Sequence, residues 1–572
     1  MTGNMVQVPL PAIPGWVPVE TITVVIAVVA SLAVVVLTSD EIGHPIARLR
    51  NRLVLGVPWG TVLTITGVVL VYLFVQGAID DLRDPLVIPF RSWSYFYPLG
   101  MLTAAFSHSS LNHITGNLVG TAMFAPIVEY AWGHYPRHRG SQTFTSPLTN
   151  PFVRIVLVPV AAFVVGLFTA VFALGPVIGF SGVVFAFAGF ALVQRPIAAA
   201  LAILADRVFG LIITAIQNPR VIAVPRPRIV TPWWANIAIQ GHAIGILTGM
   251  LLGFAMCYYR DRWPEPSRLW FALLAYASFQ GLWALFIPQG NGRYVLFRWV
   301  GVALVFVLAA VIVIALRGRY DFESIVDLQL RSVVRRGRWD IDLAGVAGVV
   351  SLTVVVVLTA ALSGAAIPYN VAPIGQADAP EPGVDVRDYT VSYGENVPDG
   401  YVNSVSIPFT DSTAINTSGV IVTSERRHIW QTVVLDSQLQ NRGFATVEIG
   451  GLGWRRNVYV NRTGWQPLGN ASVYKVFLRP SRGERTLAYS SPGRQAAPII
   501  GGRNVTLTPH DSGFEFRVSQ ANQTLGTAAL PGRGRTTAAG GITFQRNNSY
   551  IVAQYKQTRL RIAKRTGIGP NL

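Results

Sequence analysis

The chain contains few charged residues and almost no cysteine. Charged residues make up 13% of its 572 positions, whereas apolar residues make up 51%. This composition is that of a membrane protein, and the length leaves room for a second domain. Cys257 is the single cysteine, so no intramolecular disulfide can form and cysteine usage does not indicate a redox compartment.

The chain lacks the basic stripe of a nucleic-acid-binding protein and the basic leader of a cleaved signal peptide. The net charge of +18 comes mainly from arginine, but no basic stripe is interleaved with aromatic residues, so we expect no nucleic-acid partner. The first nineteen residues contain neither Lys nor Arg, which favours an N-terminus outside the cytoplasm and argues against a cleaved signal peptide. Arginines instead cluster in alternate connections between apolar runs, and the positive-inside rule assigns those connections to the cytoplasm.

Long apolar runs predict a multi-pass protein of the cell membrane. A bilayer core is spanned by about 20 consecutive apolar residues. Ten runs are candidates, and with the N-terminus outside they also place the C-terminal part of the chain outside the cytoplasm. The runs lie near residues 20–38, 58–78, 108–131, 153–174, 180–194, 197–217, 234–258, 269–288, 294–316 and 341–365.

The sequence after residue 365 has a different character. A linker rich in Pro, Gly and Asp covers 366–386, and residues 387–572 contain short alternating segments such as GVIVTS and SVYKVFL between turn-forming residues. This pattern predicts an all-β, sandwich-like soluble domain. His428 and His510 are isolated there, and we expect no metal and no cofactor. N-glycosylation sequons occur only in this part, which favours an extracytoplasmic glycoprotein; they lie at Asn416, Asn461, Asn470, Asn504, Asn522 and Asn547.

Polar residues inside apolar runs are costly and mark function by default. The segment HSSLNHITGN, residues 108–117, opens one run. His113 and Asn117 are four residues apart and share a helix face. Glu129 follows about 24 Å further along a helix. One end of this helix would carry a His/Asn pair and the other a carboxylate, although hydrogen bonding between helices would also explain these residues.

A serine stands between glycines at the head of the run GFSGVVFAFAG. Gly179 and Gly182 flank Ser181, while Phe185 and Gly189 lie one and two turns below it. A serine hydroxyl becomes a good nucleophile only when a base within about 2.6 to 3.2 Å accepts its proton. Taken alone, however, small residues of this kind are common wherever two membrane helices pack closely.

A later run contains the segment QGHAIGILTG. His242, Gly245 and Gly249 are spaced i, i+3 and i+7, so they share one helix face. Glycines at this spacing let a second helix approach closely. Tight packing on the serine helix would bring the His242 imidazole to Ser181 as its base.

The HxxxN, GxSG and HxxGxxxG motifs, in this order on successive runs, resemble the rhomboid family of intramembrane serine proteases. The resemblance covers residues 58–258 and implies a six-helix protease core. About four extra transmembrane helices would surround it, one within residues 1–57 and three within 259–365. The Arg-rich, Lys-poor composition and the stretch SHSSLNHITGNLVGTAMFAPIVEY indicate a prokaryotic, archaeal-type member.

The resemblance implies a role for each motif residue. Ser181 would be the nucleophile and His242 the general base, with no carboxylate partner. His113, Asn117 and the backbone N–H of Ser181 would line the oxyanion hole. The remaining residues would support these groups by stacking on the base, closing the helix seam or tying helix ends together: Phe185, Glu129, Gly179, Gly182, Gly245 and Gly249.

Two features depart from the family pattern. Rhomboids usually have a Trp-Arg pair in the loop before the His/Asn helix, but Leu99 and Gly100 occupy the expected positions. We expect the loop segment RSWSYFYPLG to form an amphipathic platform at the membrane interface instead. The run after the serine helix contains Asp206 and Arg207, so either its helix begins later or these charges lie in a wet part of the bundle.

The sequence therefore predicts an endopeptidase that cleaves transmembrane segments of single-pass proteins near the outer membrane face. Three alternatives stay open: a catalytically silent relative that binds client helices, a transporter with proton-relaying histidines, and an envelope-binding protein acting through its β domain. The retained Ser181 and His242 argue against the first, and the lack of a clear repeat argues against the second. The β domain could also recruit a substrate or a cell-envelope partner.

Overall fold

The computed structural model describes residues 19–38, 43–135, 144–217, 238–288, 294–317, 343–372, 379–400 and 416–566. Two compact units are present. The membrane unit comprises Met1–Val69, Asn112–Thr169 and Gly179–Gly364, and the C-terminal unit comprises Leu70–Leu111, Ala170–Ile178 and Ala365–Leu572. Two segments from the apolar part of the sequence thus pack with the C-terminal residues.

Each of the ten apolar runs contains a helix, so the helical prediction is confirmed. A helix suits a bilayer because it satisfies its own backbone hydrogen bonds. The helices are α1 Val19–Thr38, α2 Gly43–Arg52, α3 Trp59–Leu70, α4 Pro98–Thr103, α5 Leu111–Trp132, α6 Pro151–Val171, α7 Ser181–Gln194, α8 Pro196–Gln217, α9 Ile239–Arg260, α10 Pro266–Phe279, α11 Arg298–Arg317 and α12 Leu343–Gly364. Helices α4, α6, α8 and α10 begin at a proline, whose missing N–H is not needed at that position.

The described residues include five helical segments long and apolar enough to cross a membrane, which makes the chain a multi-pass membrane protein. These are Pro151–Val171, Pro196–Ile216, Ile239–Arg260, Arg298–Leu316 and Val346–Val371. Shorter apolar helices lie at Thr21–Ser31, Trp59–Val75 and Ser181–Gln194.

Two of the runs differ in detail from their predictions. The run near 269–288 is helical only as far as Phe279, because Gly281, with a φ of +67°, ends α10. A short hairpin follows, in which β1 (Phe286–Pro288) pairs with β2 (Tyr294–Leu296). Helix α8 continues through Arg207 and does not begin later. The exposed Arg207 donates from Nη2 to the carbonyl oxygen of Phe279, while the side chain of Asp206 lies outside the described structure.

The described part of the C-terminal unit is built mainly from antiparallel β-sheet, as predicted, and its short α-helices include α4. Residues 366–386, predicted as a linker, include helix α13 (Ile367–Val371) and a strand. The strands are β3 Val384–Val386, β4 Tyr389–Pro398, β5 Asn416–Ser424, β6 Ile429–Leu435, β7 Phe444–Gly451, β8 Trp454–Pro467, β9 Val473–Pro480, β10 Thr486–Ser490, β11 Arg494–Gln495, β12 Asn504–His510, β13 Gly513–Gln520, β14 Gln523–Ala529, β15 Thr536–Ala539, β16 Ile542–Arg546, β17 Tyr550–Tyr555 and β18 Thr558–Thr566. Helix α14, Asp436–Arg442, connects β6 to β7.

These strands form three sheets. Four strands are ordered β3-β4-β5-β6, and another four are ordered β11-β12-β13-β14. The largest sheet is ordered β10-β9-β8-β18-β17-β16-β15. Strand β7 pairs with the first part of the long strand β8, whose last residues pair with β18. One core of the unit includes the stacked rings of Phe516 and Phe544, whose centroids are 4.2 Å apart.

A second large core of the C-terminal unit contains residues from the loop before α5. Ile88, Trp93 and Tyr97 pack there with residues such as Val391 and Val458. The fully buried Trp93 donates from Nε1 to the carbonyl oxygen of Ile88 at 2.7 Å. The expected interfacial platform in residues 91–100 is therefore wrong for Trp93 and Tyr97, because β-strands rather than lipid cover their rings.

The two positions that depart from the family pattern also lie in this loop. Gly100 is needed there, because a Cβ at this position would lie 2.2 Å from the carbonyl oxygen of Arg91. Arg91 donates from Nη1 to the carbonyl oxygen of Pro176, and Leu99 packs beside the core that holds Trp93. A hydrogen bond from Arg91 and the packing of Leu99 therefore hold this loop in place without the Trp-Arg pair.

Candidate active site

The glycines of α7 and α9 bring these two helices into direct backbone contact. A Cβ on Gly245 would lie 2.2 Å from the carbonyl oxygen of Gly182, and one on Gly189 would lie 2.2 Å from that of Ile246. No side chain larger than hydrogen fits at such distances, which are well below van der Waals contact. The small residues of both motifs therefore set the spacing of the helices that carry Ser181 and His242.

A sharp turn presents Ser181 at the first position of α7. Gly179, two residues before it, has a φ of +127°, a conformation that residues with a Cβ rarely adopt. His242 lies in the first turn of α9. Its Nε2 is 2.7 Å from Ser181 Oγ, and both side chains are partly buried. This is the distance at which an imidazole can accept a proton from a hydroxyl.

The ring of Phe185 lies against the His242 imidazole. The two ring centroids are 4.2 Å apart and the planes differ by 11°, which is a stacked arrangement. Tyr276 of α10 meets the ring of Phe185 edge-on at 6.2 Å. The stack restricts rotation of the imidazole. No sequence motif points to Tyr276, because nothing in its surrounding pattern distinguishes it from other apolar residues of α10.

His113 and Asn117 both face the turn that carries Ser181. A Cβ on Gly179 would lie 2.5 Å from His113 Cε1 and 3.6 Å from Asn117 Nδ2. Asn117 Nδ2 is buried and has no hydrogen-bond partner among the described residues. The first N–H groups of α7 also lack partners within the helix, as at every helix N-terminus. The Asn117 amide and the N-terminus of α7 thus both lie at the turn that carries Ser181, where donors could stabilise a developing negative charge.

Glu129 lies at the far end of α5 and contacts the start of α3. The carboxylate is completely buried and accepts hydrogen bonds from the backbone N–H groups of Gly60 and Thr61 at 2.7 Å and from the Thr61 hydroxyl at 2.8 Å. His134 Nε2 lies 2.6 Å from Glu129 Oε1. A carboxylate at a helix N-terminus is favourable, so Glu129 joins α5 to α3.

Three arginines that had no specific role in the sequence analysis bind the carbonyl groups at the C-terminal end of α5. Arg52 and Arg260 donate to the carbonyl oxygen of Ala131, and Arg154 donates to those of Trp132 and Gly133. Cations next to the last carbonyl groups of a helix are stabilising. Their only sequence signal is their position near the predicted cytoplasmic ends of apolar runs.

The structure brings the motif residues of the membrane unit into two groups. Ser181, His242, Phe185, His113 and Asn117 lie together, and Glu129 lies away from them at the other end of α5. Thr169 is an addition that the sequence analysis missed: its Oγ1 lies 2.8 Å from the position of a Cβ on Gly182, so it closes the site beside α7. Within the described residues, no three His, Cys, Asp or Glu side chains are grouped as metal ligands.

Comparison with known proteins gives one result for this region. Residues 95–259 match the family model described as the Rhomboid domain. No curated protein and no solved structure matches the chain significantly. The matched segment contains all of the residues grouped around the serine turn.

Proposed function

We propose that this chain is an active intramembrane serine protease of the rhomboid family, whose domain model matches residues 95–259. The observation that carries the proposal is the 2.7 Å distance between Ser181 Oγ and His242 Nε2. A catalytically inactive protein would have no use for this contact or for the unpaired amide of Asn117 near it. The stacked Phe185 and the glycine seam keep the two groups together.

The proposed reaction follows from this geometry. Ser181 Oγ attacks the carbonyl carbon of the scissile peptide bond as its proton passes to His242 Nε2. The carbonyl oxygen becomes an oxyanion that accepts hydrogen bonds from Asn117, from His113 and from the N–H of Ser181. The intermediate collapses as His242 protonates the leaving amine. Water, deprotonated by His242, then hydrolyses the acyl-enzyme and restores the serine.

We propose single-pass membrane proteins as substrates, cleaved in or next to their transmembrane helix. Ser181 stands at the end of α7 that the positive-inside rule assigns to the outer face, which favours cleavage there. A peptide bond in a helix has its N–H and C=O groups engaged, so a client segment that unwinds easily is the better substrate. For residues 366–572 we propose an extracytoplasmic location, on the count of apolar runs and the positive-inside rule.

The proposal is tested with the full-length protein reconstituted in liposomes together with a rhomboid substrate. We expect Ser181→Ala and His242→Ala each to lower kcat by at least about 10³-fold. The matched control is Ser267→Ala, an exposed serine at the start of α10, which should retain activity. Wild-type activity in either dyad variant would refute the assignment.

A fluorophosphonate probe separates an active enzyme from a silent relative even when the substrate is poorly chosen. An activated serine reacts with the probe, so the wild-type protein should be labelled at Ser181 and the His242→Ala variant should not. A well-folded wild-type protein without any labelling would support the silent alternative.

A further inference from the structure

The C-terminal unit contains a polar cavity of about 470 Å³ for which the proteolytic reaction has no use. Residues of β4, β8, β9, β10, β11 and α14 line it. The volume falls within the range of about 300–1,000 Å³ that is typical of small-molecule sites. Such sites are usually lined by apolar residues, whereas here Ala471 and Pro492 are the only aliphatic residues of the described lining. The wall composition therefore indicates a polar ligand.

The lining includes a buried guanidinium with unused donors. Arg462 is 2% exposed and stacks on the ring of Tyr474, with Cζ 3.7 Å from the ring centroid. Its Nε is 3.2 Å from Asp436 Oδ1, but the two are not aligned for a hydrogen bond, and Nη1 has no partner among the described residues. Ser472 Oγ, in the same lining, is also buried without a described partner. Buried donors are rarely left unpaired, so these groups point to a ligand.

Acceptors face these donors. Asp436 Oδ1 is fixed by a hydrogen bond from the Tyr393 hydroxyl at 2.7 Å, and Glu395 accepts one from the Tyr489 hydroxyl. The two carboxylates are balanced by two guanidiniums, Arg462 and Arg494, so the charged groups of the lining are formally neutral in sum. A phosphate or another multiply charged anion would meet both carboxylates, which does not favour its binding.

We propose that this cavity is a saccharide-binding site. Each sugar hydroxyl is one donor and two acceptors, so it can pair with the guanidinium, with the carboxylates and with the amides of Asn396, Gln440 and Gln466. The partly exposed ring of Tyr489 offers a flat face for the sugar ring. A peptide with apolar side chains would need apolar subsites, and the described lining provides none.

Two sources of saccharide fit this chemistry. One is a glycan of the cell envelope. The other is a glycan on this chain itself, because Ala471 and Ser472 of the lining belong to the sequon that begins at Asn470. In both cases the cavity binds the same class of molecule.

The direct test is sugar binding by the full-length protein in lipid nanodiscs, made in a host without N-glycosylation. Nanodiscs are required because sugar-headed detergents would compete for the site. Saturation-transfer NMR with mannose, galactose, N-acetylglucosamine and glucuronate, followed by calorimetry, should find at least one that binds. No transfer to any of the four sugars would overturn the proposal.

Matched variants locate the binding. Gln438 and Gln440 are both exposed on α14, but only Gln440 belongs to the described lining. Gln440→Ala should weaken binding about 2- to 10-fold through loss of one hydrogen bond, and Gln438→Ala should leave it unchanged. Ala471→Trp should abolish binding by filling part of the cavity, as should Arg462→Met if that variant folds. Equal effects of the two glutamine variants, or unchanged binding in Ala471→Trp, would refute the assignment.

The two sources are distinguished with protein from a glycosylating host. If a glycan on Asn470 occupies the cavity, the wild-type protein will bind no added sugar and Asn470→Gln will restore binding. If the ligand is external, both proteins will bind the sugar equally. Either result supports the site, and loss of binding in both would contradict it.

Discussion

Gly249 and Ala186 lie so close across the seam between α9 and α7 that a Cβ on Gly249 would stand 2.0 Å from the carbonyl oxygen of Ala186. The contact is between rigid backbone atoms, so neither partner can give way by rotating a side chain. Any larger residue at this position must move one helix, and with it one member of the Ser181–His242 pair.

Gly249→Ala should therefore separate the catalytic pair. We expect a loss of about 1–3 kcal/mol in stability from overpacking and a fall in kcat of at least about 10-fold. Gly241→Ala on the same helix is the control, since a Cβ there meets only Ala238 Cβ at 3.8 Å. Thermal unfolding in nanodiscs and cleavage assays measure the two effects. Equal behaviour of both variants would show that the seam does not set the geometry.

Phe185→Leu should reduce turnover without weakening substrate binding. The substitution removes the ring stacked on His242, so the imidazole loses its fixed orientation towards Ser181. We expect kcat to fall about 10-fold with little change in KM, because orientation rather than binding is lost. Phe209→Leu, at an exposed position of α8, should leave both constants unchanged. A change confined to KM would assign Phe185 to substrate binding instead.

Glu129→Gln should destabilise the membrane unit by about 2–4 kcal/mol. The amide keeps one acceptor but places an NH₂ group opposite donors that now contact the carboxylate, including the N–H groups of Gly60 and Thr61. The exposed Glu265 provides the control, and Glu265→Gln should change stability by less than about 0.5 kcal/mol. Thermal unfolding gives the comparison. A melting temperature unaffected by Glu129→Gln would contradict the role in joining α5 to α3.

Trp93→Ala should destabilise the C-terminal unit by about 3–5 kcal/mol, because it leaves a cavity in a core shared by the loop and the strands. Phe96 lies three residues further and is 58% exposed, so Phe96→Ala should cost much less. The same packing predicts that removal of residues 365–572 leaves Trp93 and Tyr97 without cover. Low yield and aggregation of the truncated chain would agree with this, whereas a stable truncated protein would show that the loop refolds elsewhere.

Stability of the C-terminal unit should depend on pH through Glu448. Burial, reinforced by hydrogen bonding to Asp84, raises the pKa of Glu448 to about 7, although Arg455 acts in the opposite direction. Folding therefore favours the protonated carboxyl, and this stabilisation is present below about pH 4.5 and is lost as the pH rises through 7. The melting temperature should be higher at pH 5 than at pH 8. Glu448→Gln should flatten this dependence, and an unchanged slope would rule out Glu448 as its source.

The helices, the β-rich tail and the motif residues could be predicted from the sequence because each depends on a local pattern. Apolar runs of sufficient length form helices in a bilayer, and alternation with punctuating turns forms strands. The spacing of His242, Gly245 and Gly249 places them on one helix face in any helix. Gly179 likewise belongs to a local pattern, because a sharp turn with a positive φ before Ser181 favours glycine.

Only the tertiary structure showed how distant segments combine. Residues 91–100 form an amphipathic stretch that suits a membrane interface as well as the edge of a protein core. The stretch alone therefore could not show that Trp93 enters the core of a sheet formed nearly 300 residues later. The contact of His134 with Glu129 and that of Thr169 with Gly182 likewise have no periodic signal. The unpaired donors of Arg462 depend on what surrounds them after folding. Local patterns determine which elements form, whereas burial and pairing between elements depend on packing that no short stretch of sequence contains.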